Sequence, residues 1–417
     1  MDKKELFSII DKNAEKIIAL GDKLFDCPEL GFKEFKTAEM IKEELDSLGI
    51  GYESEIGMTG IKAVLGDGDY NIGVVCDIDA LPGKSFSGTI HSCGHSIQTA
   101  IGLGTARALK ESGILEGSGV RVSFIFTPAE EFIDFEYRDN LIKEGKIRYR
   151  SGKQHMISAG YFDDVDCILS AHGSQYKDKL LDVNSTLSGF LAKKAVFKGQ
   201  ASHAGAAPHL GRSTLHGAVL FENAIHFLKE QFAPEQGVRL NPVITEPGGS
   251  VNIIPDRTVM EMYVRANDIE TLEYLNDRVD LCIKNSAEML ELGYEIENTI
   301  GYMPLKQSDE LNRVIKDNML LICEDSLIKE NTVSSASGDV GDLCSILPVI
   351  QFGFGGIEGI FHSDSFAVAD KNNCYINTVK VMCGAVKDLA DNESLRVKNE
   401  NFEADKEKYL KNWLKEK

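Results

Sequence analysis

The sequence predicts an α/β fold that carries a smaller inserted domain. Short apolar runs of β character alternate with helical periodicities through about residue 184, and the same alternation resumes after about residue 306. Between these parts the order of predicted elements becomes βαββαβ, a split-βαβ sandwich. Several apolar runs also end in polar residues, which is where open α/β sheets carry ligand-binding groups.

Leu6, Phe7, Ile10, Ala14, Ile17, Ile18 and Leu24 recur at helical spacing and predict one amphipathic helix over 3–25, ending before Cys27-Pro28. A second helix is predicted over about 35–48. Ile61–Leu65 and Asn71–Cys76 read as strands around a Gly-Asp-Gly-Asp turn, and Asp77 and Asp79 follow the second. Thr99–Ser112 reads as a helix and Val120–Phe126 as a buried strand. Val165–Ser170 reads as a strand running into Ala171-His172-Gly173. In the insert, Phe190–Lys198 is a predicted strand and Arg212–Phe232 a helix, followed by strands Val238–Thr245 and Thr258–Ala266. Asn267 and Glu270 read as a capping box for a helix over 268–290, and Tyr294–Ile300 closes the unit. The first pattern returns with Val349–Phe354, the stretch Gly355 to His362, and a helix near Asn377–Asp391. Glu393–Lys417 reads as a solvated helix or frayed end. The domain boundaries are therefore 1–184, 185–302 and 303–417.

Composition narrows the function classes. A net charge of −20 over 417 residues argues against nucleic-acid and anionic-membrane binding and favours a soluble protein. The first residues lack a signal-peptide pattern, and no run of 18 apolar residues occurs, so a cytoplasmic location is expected. The nine cysteines (27, 76, 93, 167, 282, 323, 344, 374, 383) follow no disulfide-framework spacing and read as reduced thiols.

The chemistry gathers around His91-Ser-Cys-Gly-His-Ser-Ile-Gln-Thr-Ala100. Thiolate and imidazole both bind borderline-soft divalent metals, and Cys93 and His95 stand two residues apart beside a glycine, so that a tight loop aims both into one small site. Buried packing is the competing reading of such a pair. A second stretch, Phe126-Thr-Pro-Ala-Glu-Glu131, sets two adjacent carboxylates behind a hydrophobic strand, where joint exposure is disfavoured.

These motifs are joined by Asp77-Ile-Asp-Ala-Leu-Pro82, His172, Ser202-His203-Ala204 and His362. Pro28-Glu-Leu-Gly-Phe-Lys-Glu34 and Gly248-Gly-Ser-Val-Asn252-Ile-Ile-Pro255 extend the set. In order and approximate spacing the chain resembles the aminoacylase/carboxypeptidase metallopeptidase family. More narrowly it resembles the amidohydrolase branch of hippurate, indole-acetyl-amino-acid and aminobenzoyl-glutamate hydrolases. The resemblance implies a catalytic domain with a mixed central sheet flanked by helices, and an inserted ferredoxin-like lid or dimerisation domain.

It also implies two divalent metal ions per chain, zinc or manganese, with nickel or cobalt admissible, about 3.5–4 Å apart. Their ligands would be Cys93, His95, Glu131, His172 and His362. Glu130 would be the general base, Asp79 would orient a ligand histidine, and His203 would donate to the developing oxyanion. Asn252 and Arg265 match positions that contact a substrate carboxylate; strand pairing and a surface ion pair account for them equally well. For His203, a turn residue bonded to backbone is the alternative. The remaining histidines 155, 209, 216 and 226 read as structural or surface residues.

The expected substrate is an N-acyl amino acid or small peptide-like amide, with a homodimer through the insert admissible. A dipeptidase or aminopeptidase on the same fold is the first alternative, and a non-catalytic ligand-binding protein the second. An unliganded base such as Glu130 speaks against the latter. Three departures from the branch pattern stand out. Ser96 and Gln98 replace its usual Asp and His, and Val75-Cys76 replaces Arg-Ala before the Asp-x-Asp. A long segment after Glu131 carries Arg138, Lys143, Lys146, Arg148, Arg150 and Lys153. That segment reads either as a cleft rim favouring an anionic substrate or as a solvated basic loop. Ser335–Asp342 reads as a loop supporting the metal shell or contacting substrate.

Overall fold

A computed structural model describes residues 1–85, 88–176 and 178–416. The chain forms two compact units, one of residues 1–185, 306–332 and 342–417, the other of 186–305 with 333–341.

The first unit is built on an eight-stranded mixed sheet in the order Tyr52–Ile56, Gly60–Gly66, Val120–Thr127, Tyr70–Asp77, Cys167–Gly173, Val349–Phe354, Leu181–Val183, Ile328–Glu330. The four central strands, from Val120–Thr127 to Val349–Phe354, run parallel. All eight residues of Tyr70–Asp77 are buried, as a central parallel strand covered on both faces requires. Parallel pairing brings the carboxyl ends of these strands together, with Asp77 in register with Thr127.

The predicted helix over 3–25 is two helices, Lys3–Lys12 and Ala14–Phe25. Asn13 interrupts it with φ −96° and ψ 2°, and its side-chain amide reaches the Glu111 carboxylate at 2.7 Å. The helix expected from Thr99 begins at His95, so this residue lies in a helical first turn and not in a loop with Cys93. Gly94, at φ 89°, makes the entry turn. The helix is buried nearly all round, which removes the polar stripe that marks a helix start in sequence. Gly102 permits close packing there: a Cβ would fall 2.6 Å from Cys76 Sγ.

The C-terminal segment is docked, contrary to the expectation of a solvated end, although Lys417 lies outside the described residues. Tyr409, Trp413 and Leu414 are buried, Tyr409 Oη donates to Asp342 Oδ1 at 2.7 Å, and Glu416 accepts from Tyr149 Oη at 2.6 Å. Its charged residues face outward along short helices, and three apolar side chains in the last turns suffice to anchor it.

The second unit is an antiparallel sheet with Arg257–Ala266 and Gly189–Lys198 at its centre and Gly293–Ile300 on one side. Helices Thr214–Lys229 and Ile269–Glu288 contribute Phe221, Ile225, Leu272 and Val279 to its core. The strand predicted over 238–245 is divided into Arg239–Leu240 and Val243–Glu246, because Pro242 has no N–H to give the ladder. The cap of the second helix is Asp268, which accepts from Thr271 N at 2.7 Å, one residue later than the predicted Asn267. Asn267 is instead bonded to Ser188 Oγ and Glu235 O.

Docking of the tail is testable. Trp413→Ala is expected to lower stability by about 3 kcal/mol, the usual loss for an emptied aromatic site, read by denaturant unfolding; a loss within about 0.5 kcal/mol, typical of surface positions, would show an undocked tail.

Candidate metal centre

The carboxyl ends of the parallel strands collect the candidate donors. Tyr70–Asp77 leads to Asp79, Val120–Thr127 to Glu130 and Glu131, and Cys167–Gly173 carries His172. His362 lies beyond Val349–Phe354 at φ 59°, and its amide is tied to Ser92 O at 2.8 Å, next to Cys93.

Three sets of donor atoms lie within 4.8 Å of one another: Cys93, His95 and His172; Cys93, Glu131 and His362; His95, Glu130 and Glu131. Cys93 Sγ is 3.3 Å from His362 Nε2 and 3.7 Å from His172 Nε2. His362 Nε2 is 3.4 Å from Glu131 Oε1, and His95 Nε2 is 3.8 Å from Glu130 Oε2.

Hydrogen bonds behind the histidines set their tautomers. His95 Nδ1 faces Asp79 Oδ1 at 2.9 Å and Asp79 O at 3.0 Å, both acceptors, so Nδ1 carries the proton and Nε2 presents its lone pair. His172 Nδ1 faces Gly173 O at 3.0 Å with the same result. His95 Nε2 and Glu131 Oε1 are buried without a hydrogen-bond partner among the described residues. Orphaned acceptors are costly, and a cation among them removes the cost. The donor set, thiolate, imidazole and carboxylate, suits a borderline-soft divalent ion.

The electrostatics of His172, Cys93 and Glu131 agree. At His95 burial acts downward, but Cys93 and the Asp79 carboxylate together hold the imidazole well above its ordinary value, so a cation at Nε2 would displace a proton there as well. Burial pushes His172 down to about 4, so its imidazole is neutral near neutral pH. Burial raises the Cys93 thiol well above its ordinary range, with Glu131 adding to the effect, and pushes Glu131 up to about 7 against the opposing influence of His95. A bound cation draws these protons off. For Asp79 burial acts upward and is the largest single influence, but donation from His95 and its charge, the Glu131 amide and the Arg138 charge together outweigh it and hold the carboxyl below its ordinary range.

The other predicted residues lie in the second unit. His203 is exposed, and its Nδ1 accepts from Gly205 N at 3.1 Å and Ala206 N at 3.0 Å. That is the turn-stabilising geometry, and it leaves the proton of the neutral ring on Nε2. Asn252 is exposed and accepts from Ser250 Oγ at 2.6 Å. Arg265 has no ion-pair partner among the described residues; it lies over the rings of Phe190 and Tyr263 and donates to Ser335 O and Ser337 Oγ. Asp342, the last residue of the Ser335–Asp342 segment, is fully buried and accepts from Gln154 Nε2 and Tyr409 Oη.

The basic segment is neither a cleft rim nor a solvated loop in its key members. Arg138 and Lys153 are fully buried. Lys153 Nζ pairs with Asp77 Oδ1, which also accepts from Thr127 Oγ1 at 2.6 Å. Arg138 donates to the backbone carbonyls of Glu131, Ala129 and Arg150. Arg150 pairs with Asp139, Lys146 with Glu144, and Arg148 bonds Ser158. Gln98, one of the departures, accepts from Asp77 N at 3.2 Å. Sequence reasoning missed this supporting layer, and it gave no role to Glu34 at the end of the Pro28–Glu34 motif, which is buried and accepts from Ala129 N at 2.9 Å and Thr59 Oγ1 at 2.6 Å. The signal available was the recurrence of cations in one segment of an acidic chain.

Fold and donor set are those of a metal-dependent hydrolase. A model of the peptidase family M20/M25/M40 matches residues 73–388, and the chain belongs to that family. It is 28% identical over 301 residues to one of the subunits of p-aminobenzoyl-glutamate hydrolase from Escherichia coli K12, covering 69% of this chain and 58% of that one. It is 25% identical over 385 residues to the mouse Xaa-Arg dipeptidase, covering 86% and 81%. The chain thus spans less than two thirds of the first relative and about four fifths of the second. A solved Bacillus subtilis protein described as a dinuclear metal binding peptidase from the M20 family has the same fold, with TM-score 0.70, 19% identity, and 91% and 99% of the two chains covered.

Two predictions concern the supporting layer. Lys153→Met strands a buried carboxylate and is expected to cost about 3–5 kcal/mol, whereas adding Asp77→Asn should recover most of that; equal losses in denaturant melts of the two would remove the ion pair as the cause. Glu34 is pushed up to about 7 from its ordinary 4.5, first by burial and then by Asp79. A carboxyl raised on folding holds its proton more tightly in the native state, so its contribution is intact below about 4.5 and is lost as pH rises to about 7. In metal-free protein the stability of Glu34→Gln relative to wild type should therefore climb across that window; a pH-independent difference would refute the assignment.

Proposed function

We propose that this protein is an amidohydrolase that cleaves the amide bond of an N-acyl amino acid or small peptide-like amide, holding two divalent ions per chain. The observation that carries the reading is the sharing of Cys93 between two donor triads beside a further carboxylate, Glu130. Cys93, His95, Glu131, His172 and His362 would hold the ions, with zinc or manganese favoured by the mixed S, N and O donors and nickel or cobalt admissible. The bound ions supply Lewis acidity and an acidified water.

Glu130 takes a proton from the attacking water and delivers it to the departing amine. Asp79 keeps His95 in the tautomer that presents Nε2. His203, with its proton on Nε2, donates to the oxyanion, and Arg265 and Asn252 receive the substrate carboxylate. Water attacks directly, and no covalent enzyme intermediate forms.

The chain acts in the cytoplasm in this reading, which the presence of all nine cysteines as free thiols supports. No described helix is long and apolar enough to cross a membrane. Pairing of two chains through the inserted unit is supported by exposed Phe227, Tyr274 and Met289. Similarity to an Xaa-Arg dipeptidase over most of the chain favours dipeptide hydrolysis as the second reading.

A panel of N-acetyl, N-benzoyl and aminobenzoyl amino acids, alongside dipeptides, decides between them. Turnover with added Mn²⁺ or Zn²⁺ is expected, with loss on chelation. Glu130→Gln should lower kcat by about 10²-fold or more while bound metal remains. Metal binding without turnover on any substrate would move the protein to a ligand-binding role, and no metal binding would undo the donor assignment.

A further inference from the structure

Glu130 is bracketed by two residues whose backbone polar groups are all held by buried side chains. Ala129 N–H donates to Glu34 Oε1 at 2.9 Å, and Ala129 O accepts from Arg138 Nη1 at 3.4 Å. Glu131 N–H donates to Asp79 Oδ2 at 3.0 Å, and Glu131 O accepts from Arg138 Nη2. Arg138 bridges both sides of Glu130.

The seat of this guanidinium is built for it. Arg138 is fully buried and lies over the ring of Phe32 at 5.5 Å. Gly31 leaves the space: a Cβ there would fall 2.6 Å from Arg138 Nη2 and 2.8 Å from Ala129 Cα. Ala129 has φ 54°, a left-handed conformation that a residue with a side chain keeps only when its surroundings impose it. The imposing groups are Glu34 on its N–H, Arg138 on its carbonyl, and a small apolar cluster of Phe32, Leu141 and Ile147 around its methyl. Gly152 backs the same turn, since a Cβ there would meet Pro128 O at 1.8 Å.

We propose that Arg138 is a positioning residue for the Glu130–Glu131 pair, its planar fork fixing the two carbonyls between which the Glu130 side chain departs. The assignment rests on the function proposed above. A rigid planar fork spanning carbonyls on both sides of Glu130 is reproduced poorly by an ammonium, a compact point charge on a flexible stem. Arg138 therefore determines where the base carboxylate stands relative to the donor cluster, and through Glu131 it also shapes that cluster.

The test compares Arg138→Met and Arg138→Lys with wild type and with the surface control Lys146→Ala. Mn²⁺ affinity is read by calorimetry, and kcat and KM on whichever panel substrate wild type turns over. Arg138→Met is expected to weaken Mn²⁺ binding about ten-fold or more, the usual effect of losing a group that orients metal ligands, and to lower kcat with KM nearly unchanged. Arg138→Lys should fall between it and wild type, and Lys146→Ala should match wild type. A folded Arg138→Met that loses thermal stability alone, keeping wild-type Mn²⁺ affinity and kcat, overturns the proposal. If Arg138→Met does not fold, wild-type values in Arg138→Lys overturn it. Absence of Mn²⁺ binding or turnover by wild type is the separate failure of the functional reading and removes the assignment with it.

Discussion

The site depends on the Asp79 carboxylate. One oxygen accepts from His95 Nδ1 and the other from the Glu131 amide, so a single buried side chain joins three segments at the sheet's carboxyl edge. These are the end of one parallel strand, the start of the helix His95–Ser112, and the turn after a second strand. Burying an ionised carboxylate is costly unless every lone pair is used, and here two strong donors meet it in fixed directions. The His95 bond selects the tautomer that leaves Nε2 bare; the Glu131 bond sets the backbone from which both neighbouring carboxylates project.

Asp77, two residues before this carboxylate, gathers a second buried polar group. Asp77 accepts from Lys153 and Thr127 on its side chain and donates its amide N–H to Gln98 Oε1. Buried ion pairs are weak sources of stability compared with apolar packing. Their use here is geometric: Lys153 ties helix Gly152–Ser158 to Asp77, the same aspartate that holds Thr127, the end of the strand leading to Glu130 and Glu131, and Gln98, in the helix that begins at His95. The departures at Gln98 and in the basic segment thus belong to one arrangement: Gln98 and Lys153 meet at the same aspartate. Helix Gly152–Ser158 is held in turn by Gln154 on Asp342 and by the docked C-terminal segment, which reaches Ser158 through Glu416.

Much of this was legible in the residues. Apolar runs alternating with helical periodicities announced an α/β fold, and polar residues at the ends of those runs announced where chemistry would gather. The placement of Cys93, Glu131, His172 and His362 within reach of one another follows from parallel pairing, which aligns strand ends far apart in sequence. Helix limits were less legible. Asn13 breaks its helix through a bond to Glu111, a partner nearly a hundred residues away, and the first turn at His95 is hidden because its neighbours are buried polar residues.

What the sequence by itself determined is the alternation of helices and strands, the inserted βαββαβ order, and the donor types. These are set by local periodicity and by side-chain chemistry, both carried in short stretches of chain. Only the tertiary structure decided the fate of the basic segment. A lysine or arginine in a charged stretch is solvated unless a distant carboxylate or carbonyl waits in the core to receive it. Asp77 for Lys153, and the carbonyls of Ala129 and Glu131 for Arg138, are brought into place only when the sheet is assembled. Burial of a charge is a property of the partner's position, which no local pattern encodes.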